Sequence, residues 1–237
     1  MLLRALRFGL AAAISACAWL ALASRPLSAQ TPPTEAEYAA YGGLLAAAAQ
    51  GRASEVENLV RAGEDLEVRD DNGRTPLLVA AYRRDPAVAK ALIEAGANIN
   101  ALDNQSYDAV TIAAVANDLP MLKLLLASGA NARAITSPYG GSALIASSHR
   151  GHVEVVELLI AHRAPLDHVN NLGWTALIEA IVLGDGSARY QKIVAALIAA
   201  GANLNIADRS GKTPLNLARE KSYVEIAGLL EKAGAKP

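Results

Sequence analysis

Two landmarks recur in phase along the chain, and this periodicity restricts the fold more than any other feature of the sequence. The first is a small residue, then Pro or Ala, then an apolar residue that opens an apolar run; the apolar members stand at 44, 77, 110, 144, 177 and 215. The second is a glycine, replaced once by Arg163, that lies 19 positions later in five units and 24 in the fifth. Because one such unit cannot bury its apolar face alone, the sequence predicts a stack of about six repeats.

Each unit contains what a pair of helices joined by short turns requires. Thr75 can cap a helix with its hydroxyl, and Pro76 fits the first helical turn, where a missing N–H has no consequence. Gly96 can close the second helix in the left-handed conformation. The chain is 52% apolar but only 4% aromatic, so alanine and leucine are expected to make up the bulk of the buried surface. The predicted fold class is all-α, a solenoid of helix–turn–helix units with short hairpin turns.

Three runs of sequence resemble the ankyrin repeat. Gly73–Ala81 matches the family pattern G-x-T-P-L-x-x-A-A, Gly151–Ile160 matches G-H-x-E-V-V-x-L-L-x, and Gly96–Asn100 matches G-A-N-x-N. The resemblance covers about residues 39–235 and implies an ankyrin-repeat domain over 39–237. We number its repeats 1 to 6 and place them at about 39–69, 70–102, 103–135, 136–169, 170–207 and 208–235.

Several units depart from the family pattern. Repeat 1 lacks the Thr-Pro start and is expected to be an N-terminal cap. In repeat 4, Arg163 would cost about 1 kcal/mol if it must be left-handed. Repeat 5 carries five extra residues, at about Asp185–Arg189, which are expected between its two helices. They are either a tolerated surface insertion or a second partner contact.

Residues 1–29 have the pattern of a secretory signal peptide. Arg4 and Arg7 precede the apolar run Phe8–Ala23, which is short for a membrane span, and cleavage is expected after Ala29. The alternatives are cleavage after Ala23, an uncleaved anchor, or a lipoprotein acylated on Cys17. Residues 30–38 are predicted to be a linker, and the expected location is the periplasm or outside the cell.

The sequence offers little for catalysis. The four histidines, His149, His152, His162 and His168, fall within one unit, which is compatible with a metal site, but structural roles are the favoured interpretation. Ser147 and Ser148 adjoin His149, but neighbouring residues on a helix point in different directions. No phosphate-binding glycine loop is present. We therefore predict no enzyme activity, no metal and no cofactor.

The net charge of −1 and the absence of a second apolar span predict no nucleic-acid partner and no membrane contact after cleavage.

The resemblance implies that a protein partner binds the concave face, which hairpin turns and first helices form. Turn aromatics and arginines are favoured there, because a core of alanine and leucine does not need them and because Tyr, Trp and Arg dominate interface hot spots. The predicted partner-binding residues are Arg74, Tyr82, Arg83, Tyr107, Tyr139, His149, Arg150, Trp174 and Lys212. A monomeric interaction module is expected. The alternatives are an inhibitor or immunity-type partner of an exported enzyme, or a secreted effector acting on host proteins.

Overall fold

The computed structural model describes residues 30–237, of which Pro32–Pro237 form one unit. The predicted signal peptide, residues 1–29, lies outside the described residues. Thirteen α-helices occupy the described part of the chain, and its only β-pairing is an isolated bridge between Ile135 and Ser142. The helices are α1 (Glu35–Ala40), α2 (Gly43–Ala49), α3 (Ala53–Arg61), α4 (Pro76–Arg83), α5 (Pro86–Glu94), α6 (Ala109–Val115), α7 (Leu119–Ala127), α8 (Ala143–Arg150), α9 (Val153–Ala161), α10 (Ala176–Val182), α11 (Ala188–Ala199), α12 (Pro214–Glu220) and α13 (Val224–Lys232).

Helices α2 to α13 form six consecutive pairs, one for each repeat. The first helices, α2, α4, α6, α8, α10 and α12, pack side by side in one layer, and the second helices pack in a parallel layer behind them. Alanines in the first helices, such as Ala80 and Ala113, are fully buried and let neighbouring helices approach closely. The predicted all-α repeat solenoid is confirmed.

Helix ends follow the chemistry predicted for them. Thr75 Oγ1 accepts from Leu78 N, and Asp108 Oδ1 accepts from Thr111 N at 2.7 Å. Gly96 closes α5 with φ of +97°, and Arg163 takes the same role after α9 with φ of +60°. Arg163 therefore adopts the left-handed conformation that the repeat pattern required of it.

The predicted linker at 30–38 is wrong over its second half, because Glu35–Ala40 is helical. Thr34 Oγ1 accepts from Glu37 N at 3.2 Å, while Glu37 Oε2 accepts from Thr34 N at 2.7 Å. This reciprocal pair is a capping box, and it satisfies two amide donors at the start of α1. The helix stands where a hairpin precedes the first helix in the other repeats.

Hydrogen bonds between the turns that follow the second helices tie neighbouring repeats together. At four junctions a side-chain oxygen accepts from a backbone N–H of the next repeat: Glu67 from Asn98, Asn100 from Asn131, Asp167 from Asn203, and Asn205 from Lys236. At the fifth junction the acceptor position holds Arg133 and the donor position holds Pro165, which has no N–H. There Arg133 Nη1 donates instead to Arg163 O at 3.0 Å.

The extra residues of repeat 5 divide between a turn and a helix. Residues 183–187 form the turn, but Ala188 and Arg189 begin α11, which has 12 residues where its counterparts in repeats 2, 3, 4 and 6 have nine. Tyr190, just beyond the insertion, is buried, and its hydroxyl donates to His149 O at 2.8 Å. The insertion thus lies between the helices only in part, and the residue after it binds repeat 4.

Candidate binding surface

In repeats 2 to 6, the hairpin before the first helix is built around one side-chain acceptor. Asp70 Oδ1 accepts from the backbone N–H groups of Asn72 and Arg74, at 2.9 and 2.8 Å. Asp103, Asn170 and Asp208 repeat this arrangement in repeats 3, 5 and 6. In repeat 4, Ser137 Oγ accepts from Gly141 N. The turns are therefore fixed from within, which holds their outward-facing side chains in defined positions.

The nine predicted partner-binding residues differ widely in exposure. Arg83, Tyr139 and Arg150 are exposed, and Tyr82, His149, Trp174 and Lys212 are half-buried. Arg74 and Tyr107 are 1% and 3% exposed, so the prediction that these two present their side chains to a partner is wrong.

Arg74 is buried because α1 and its own hairpin supply carboxylates for it. Its Nε donates to Asp70 Oδ2 at 2.6 Å, and its Nη2 donates to Glu37 Oε1. Tyr41 also donates its hydroxyl to Asp70 Oδ2, and Asn72 donates to Glu37. A turn arginine with two carboxylate partners fastens the N-terminal helix to hairpin 2 instead of facing solvent.

Tyr107 and Tyr82 lie in the layer between hairpins and first helices. Burial, with smaller contributions from Tyr139 and Asp103, raises the pKa of Tyr107 to about 12. Burial also raises the pKa of Tyr82 well above its usual value, and its hydroxyl has no hydrogen-bond partner within residues 30–237. Tyr107 is therefore a packing residue, whereas Tyr82 keeps a partly open edge.

The predicted residue Arg83 contacts an aromatic that the sequence reading did not include. Its guanidinium carbon lies 5.1 Å from the centre of the Tyr38 ring, and Tyr38 meets Tyr41 edge-on at 5.9 Å between centroids. Such a cation–π contact is worth about 0.5–1 kcal/mol at an exposed site. Helix α1 therefore extends the surface at its N-terminal end and orients Arg83 there.

A second set of surface residues was missed because it is apolar. Leu102, Ile135 and Val169 are 40%, 43% and 42% exposed. They are the last residues of repeats 2, 3 and 4, and each immediately precedes the hairpin of the next repeat. We call these three residues the apolar column. With neighbouring repeats spaced by roughly 10 Å, the column extends over roughly 20 Å. Single exposed apolar residues are ordinary, but three at one repeat position are aligned along the stack, where one partner can cover them together.

Tyr139 lies in the hairpin that follows Ile135 and is itself 36% exposed. Its carbonyl accepts from Asn171 N at 2.9 Å, which ties hairpin 4 to hairpin 5 and fixes the backbone that carries the ring. The regular spacing of Leu102, Ile135 and Val169, at 33 and 34 positions, is visible in the sequence and could have indicated the column.

Two further charged residues of the prediction, Lys212 and Arg150, differ in their ion pairing. Lys212 Nζ binds Glu220 Oε2 at 2.7 Å, and this hydrogen bond raises the pKa of Lys212. Arg150, by contrast, enters no ion pair with any described residue. Of the two, Arg150 is the freer to meet a carboxylate of a partner.

The histidines bind protein atoms rather than one another. His152 Nδ1 lies 3.0 Å from Ala114 O, His162 Nδ1 lies 2.9 Å from Leu158 O, and His168 Nε2 lies 2.6 Å from Gly140 O. His149 Nδ1 instead faces the buried carboxylate of Glu179 at 3.4 Å. Residues 30–237 contain no group of three or more His, Cys, Asp or Glu side chains placed to hold a metal ion.

None of the helices from α1 to α13 has the length and apolarity to cross a membrane.

The family model for ankyrin repeats in three copies matches residues 44–135 and 111–208. The chain belongs to the ankyrin-repeat family. Ankyrin repeats are protein-interaction modules, and members of the family are generally non-catalytic.

Individual relatives agree with this assignment. An ankyrin repeat domain from Acinetobacter baumannii is 46% identical, with a TM-score of 0.78 over 81% of this chain and 98% of that one. YahD of Escherichia coli K12, described as an ankyrin repeat protein, is 46% identical over 98 residues, which are 41% of this chain and about half (49%) of that protein.

A chain in the complex of a predatory endopeptidase from Bdellovibrio bacteriovorus with an immunity protein is 28% identical, with a TM-score of 0.67 over 81% of this chain and 98% of that one. The bacterial relatives support a bacterial origin.

Proposed function

We propose that the chain is a non-catalytic, exported protein-binding module whose partner lies across hairpins 3 to 5. The apolar column carries this proposal, because a folded protein that exposes aligned Leu102, Ile135 and Val169 gains free energy when another protein covers them. Tyr139 and Trp174 lie in hairpins 4 and 5, Arg150 ends α8 of repeat 4, and all three can add hydrogen bonds and area to an interface.

The experiment that tests the proposal is capture with the chain as bait. The immobilised protein would be exposed to periplasmic extract and to culture supernatant, and bound proteins identified by mass spectrometry and then purified. The variant L102S/I135S/V169S should weaken binding of the purified partner roughly a hundredfold, because each half-exposed apolar side chain contributes about 1 kcal/mol when buried.

The matched control is V224S. Val224 is 73% exposed, the most exposed large apolar residue within 30–237, but it lies on α13, away from the column. Binding and thermal unfolding should be unchanged in this variant, and the triple variant should also unfold at the wild-type temperature. Unaltered partner affinity in the triple variant would exclude the column as the binding surface. In that case W174A/Y139A/R83A tests the predicted aromatic and arginine residues separately.

Export is proposed from residues 1–29, whose charged start, apolar run and small residues have the pattern of a cleaved signal. Cell fractionation followed by N-terminal sequencing should find the chain outside the cytoplasm and beginning at Gln30. A start at Ser24, an intact N-terminus or a lipid on Cys17 would each select one of the alternatives.

A second candidate function is inhibition of an exported enzyme, as an immunity-type partner. The observation that favours it is the structural similarity to a chain from the endopeptidase–immunity protein complex. If the captured partner is a hydrolase, adding the purified chain at increasing molar ratio should reduce its activity to zero at stoichiometry. If the activity of the hydrolase is unchanged at a saturating concentration of the chain, the chain is a scaffold and not an inhibitor.

A further inference from the structure

A buried carboxylate occupies a position that the other repeats fill with apolar side chains. Glu179 lies two residues after the apolar landmark of repeat 5, where the other repeats have Ala46, Val79, Ile112, Ala146 and Leu217. Its side chain is 0% exposed. A carboxylate so deeply buried is costly unless other groups satisfy it, so its neighbours must explain its presence.

Two residues meet the two oxygens of Glu179. Oε1 accepts from Asn170 Nδ2 at 2.8 Å, and Oε2 lies 3.4 Å from His149 Nδ1 in the preceding repeat. Oε2 has no hydrogen bond of good geometry within residues 30–237. The imidazole therefore decides whether this oxygen has a charged partner: a protonated ring gives an ion pair, and a neutral ring does not.

Asn170 is also the residue that organises hairpin 5. Its Oδ1 accepts from Leu172 N at 2.9 Å and from Trp174 N at 3.0 Å. In repeats 2, 3 and 6 the same position is aspartate, which would bring a second carboxylate against Glu179. Asparagine keeps the oxygen that accepts in the turn and adds the N–H donor that Glu179 requires. The presence of Asn in place of Asp at position 170 therefore compensates for the presence of Glu in place of an apolar residue at position 179.

We infer that His149, Glu179 and Asn170 form a relay that couples the protonation state of His149 to hairpin 5, with Glu179 as the positioning residue. The functional meaning of this inference rests on the proposed function, since His149 and Trp174 both belong to the predicted binding surface. When His149 is protonated, it forms an ion pair with Oε2 of Glu179 and holds the carboxylate between His149 and Asn170. The carboxylate in turn fixes Asn170, whose Oδ1 accepts from the backbone amides of hairpin 5. Loss of that proton loosens the hairpin and with it the surface that the partner meets.

Few other charged or titratable groups lie near His149, and His152, three residues further along the chain at the start of α9, is one of them. Tyr190 of α11 donates its hydroxyl to the His149 carbonyl, and Arg150 is the next residue of α8. Helix α6 carries no titratable side chain, and α9 contributes the exposed Glu154 and Glu157. His168 is two residues before Asn170 and also carries an imidazole, so the experiment must separate it from His149.

The test is an NMR titration of the full-length chain between about pH 5 and 8, the range in which histidines change charge. The backbone amide signals of Leu172 and Trp174 should move with the ring signals of His149. The equivalent amides of Ser210 and Lys212, which bind Asp208 in hairpin 6, are the internal control and should not follow them. In H149Q the movement of the Leu172 and Trp174 signals should vanish, whereas in H168Q it should persist.

The variant N170D/E179V restores the Asp–Val combination of repeat 2. It should unfold within the wild-type range and keep hairpin 5 formed, but the Trp174 amide should no longer report on His149. Movement that persists in this variant, or that disappears in H168Q and not in H149Q, overturns the relay. Because no partner is present in the titration, its result is independent of the capture experiment, which alone decides the proposed binding surface.

Discussion

Arg74 and Asp70 form a buried ion pair in which the arginine Nε donates to Oδ2 of the aspartate at 2.6 Å. The arginine side chain is 1% exposed and the aspartate 6% exposed, and the second carboxylate on the same guanidinium, Glu37, comes from α1. One side chain therefore joins a hairpin to the helix that precedes the repeats.

Replacing this arginine should be among the most damaging single changes in the N-terminal half. R74A leaves Asp70 buried without its cation, and breaking a buried pair from one side costs about 3–5 kcal/mol. Urea unfolding followed by circular dichroism measures the loss. R52A is the control, because Arg52 pairs with Glu55 only at the surface and should change the free energy of unfolding by less than about 1 kcal/mol. Equal effects of the two variants would contradict the role of Arg74.

The N-terminal cap should loosen in acid. Hydrogen bonds from Thr34, together with Arg74, hold the pKa of Glu37 below its usual value. Burial alone would raise the pKa of Asp70, but hydrogen bonds from Tyr41 and Arg74 outweigh it and lower that pKa. A carboxylate whose pKa is lowered on folding stabilises the fold above its unfolded pKa of about 4, and that stability is lost as pH falls through the folded pKa.

Hydrogen exchange of the α1 amides is the appropriate measurement of this acid effect. Burial raises the pKa of Asp103 and of Asp108, so their contributions to stability change with pH in the opposite direction to those of Glu37 and Asp70. A measurement of global unfolding would combine the two effects, whereas exchange in α1 reports on the cap. Exchange in α1 should accelerate between about pH 5 and 3 beyond the change in the intrinsic rate, and E37Q should reduce that acceleration. An identical profile in E37Q would show that Glu37 is not responsible.

Glycine at position 163 should stabilise the protein. Arg163 has φ of +60°, where Gly63, Gly96, Gly129, Gly201 and Gly234 stand in the other repeats. R163G removes the left-handed strain of a residue with a Cβ atom and should raise the free energy of unfolding by about 1 kcal/mol. The carbonyl that accepts from Arg133 is backbone and survives the change. G201A is the reverse test and should lower stability by a similar amount; a neutral result in both would exclude the strain argument.

The same substitution should have opposite effects at two other glycines. A Cβ atom on Gly184 would lie 2.2 Å from Ala180 O and 2.7 Å from the Tyr190 ring, so G184A forces the backbone to shift and should cost about 1–3 kcal/mol. Gly228 lies inside α13 with nothing within 4 Å of such an atom, so G228A should gain up to about 1 kcal/mol of helix propensity. Thermal unfolding of the two variants provides the comparison, and melting temperatures that shift in the same direction would refute it.

Local rules predicted most of the repeats but not the residues that reach between them. Thr75, Asp108 and Gly96 act within one or two helical turns of their own positions, so the sequence pattern contains all the information needed. Arg74 was misplaced because its second partner, Glu37, is 37 positions away. Glu179 could be located on a first helix, but its burial depends on Asn170 and His149 together.

Two further features of the structure have a signal in the sequence. Thr34-Glu35-Ala36-Glu37 has the spacing of a capping box, which predicts a helix where a linker was expected. The apolar column was overlooked because the prediction favoured aromatics and arginines, although Leu102, Ile135 and Val169 share one repeat position. Exposure is the quantity that distinguishes such residues from core, and it depends on the direction in which a hairpin side chain points.

The short reach of the inter-repeat hydrogen bonds has a consequence for how the chain folds as it is synthesised. The bond from Tyr190 to His149 spans 41 positions, and that from Arg74 to Glu37 spans 37. Each repeat can therefore dock onto a neighbour that has already emerged, without waiting for the end of the chain. Helix α1 follows the same order, because Arg74 of hairpin 2 reaches Glu37 only after repeat 1 has been synthesised. The repeats should therefore fold in order from the N-terminal end, and helix α1 should be held in place only once hairpin 2 has formed.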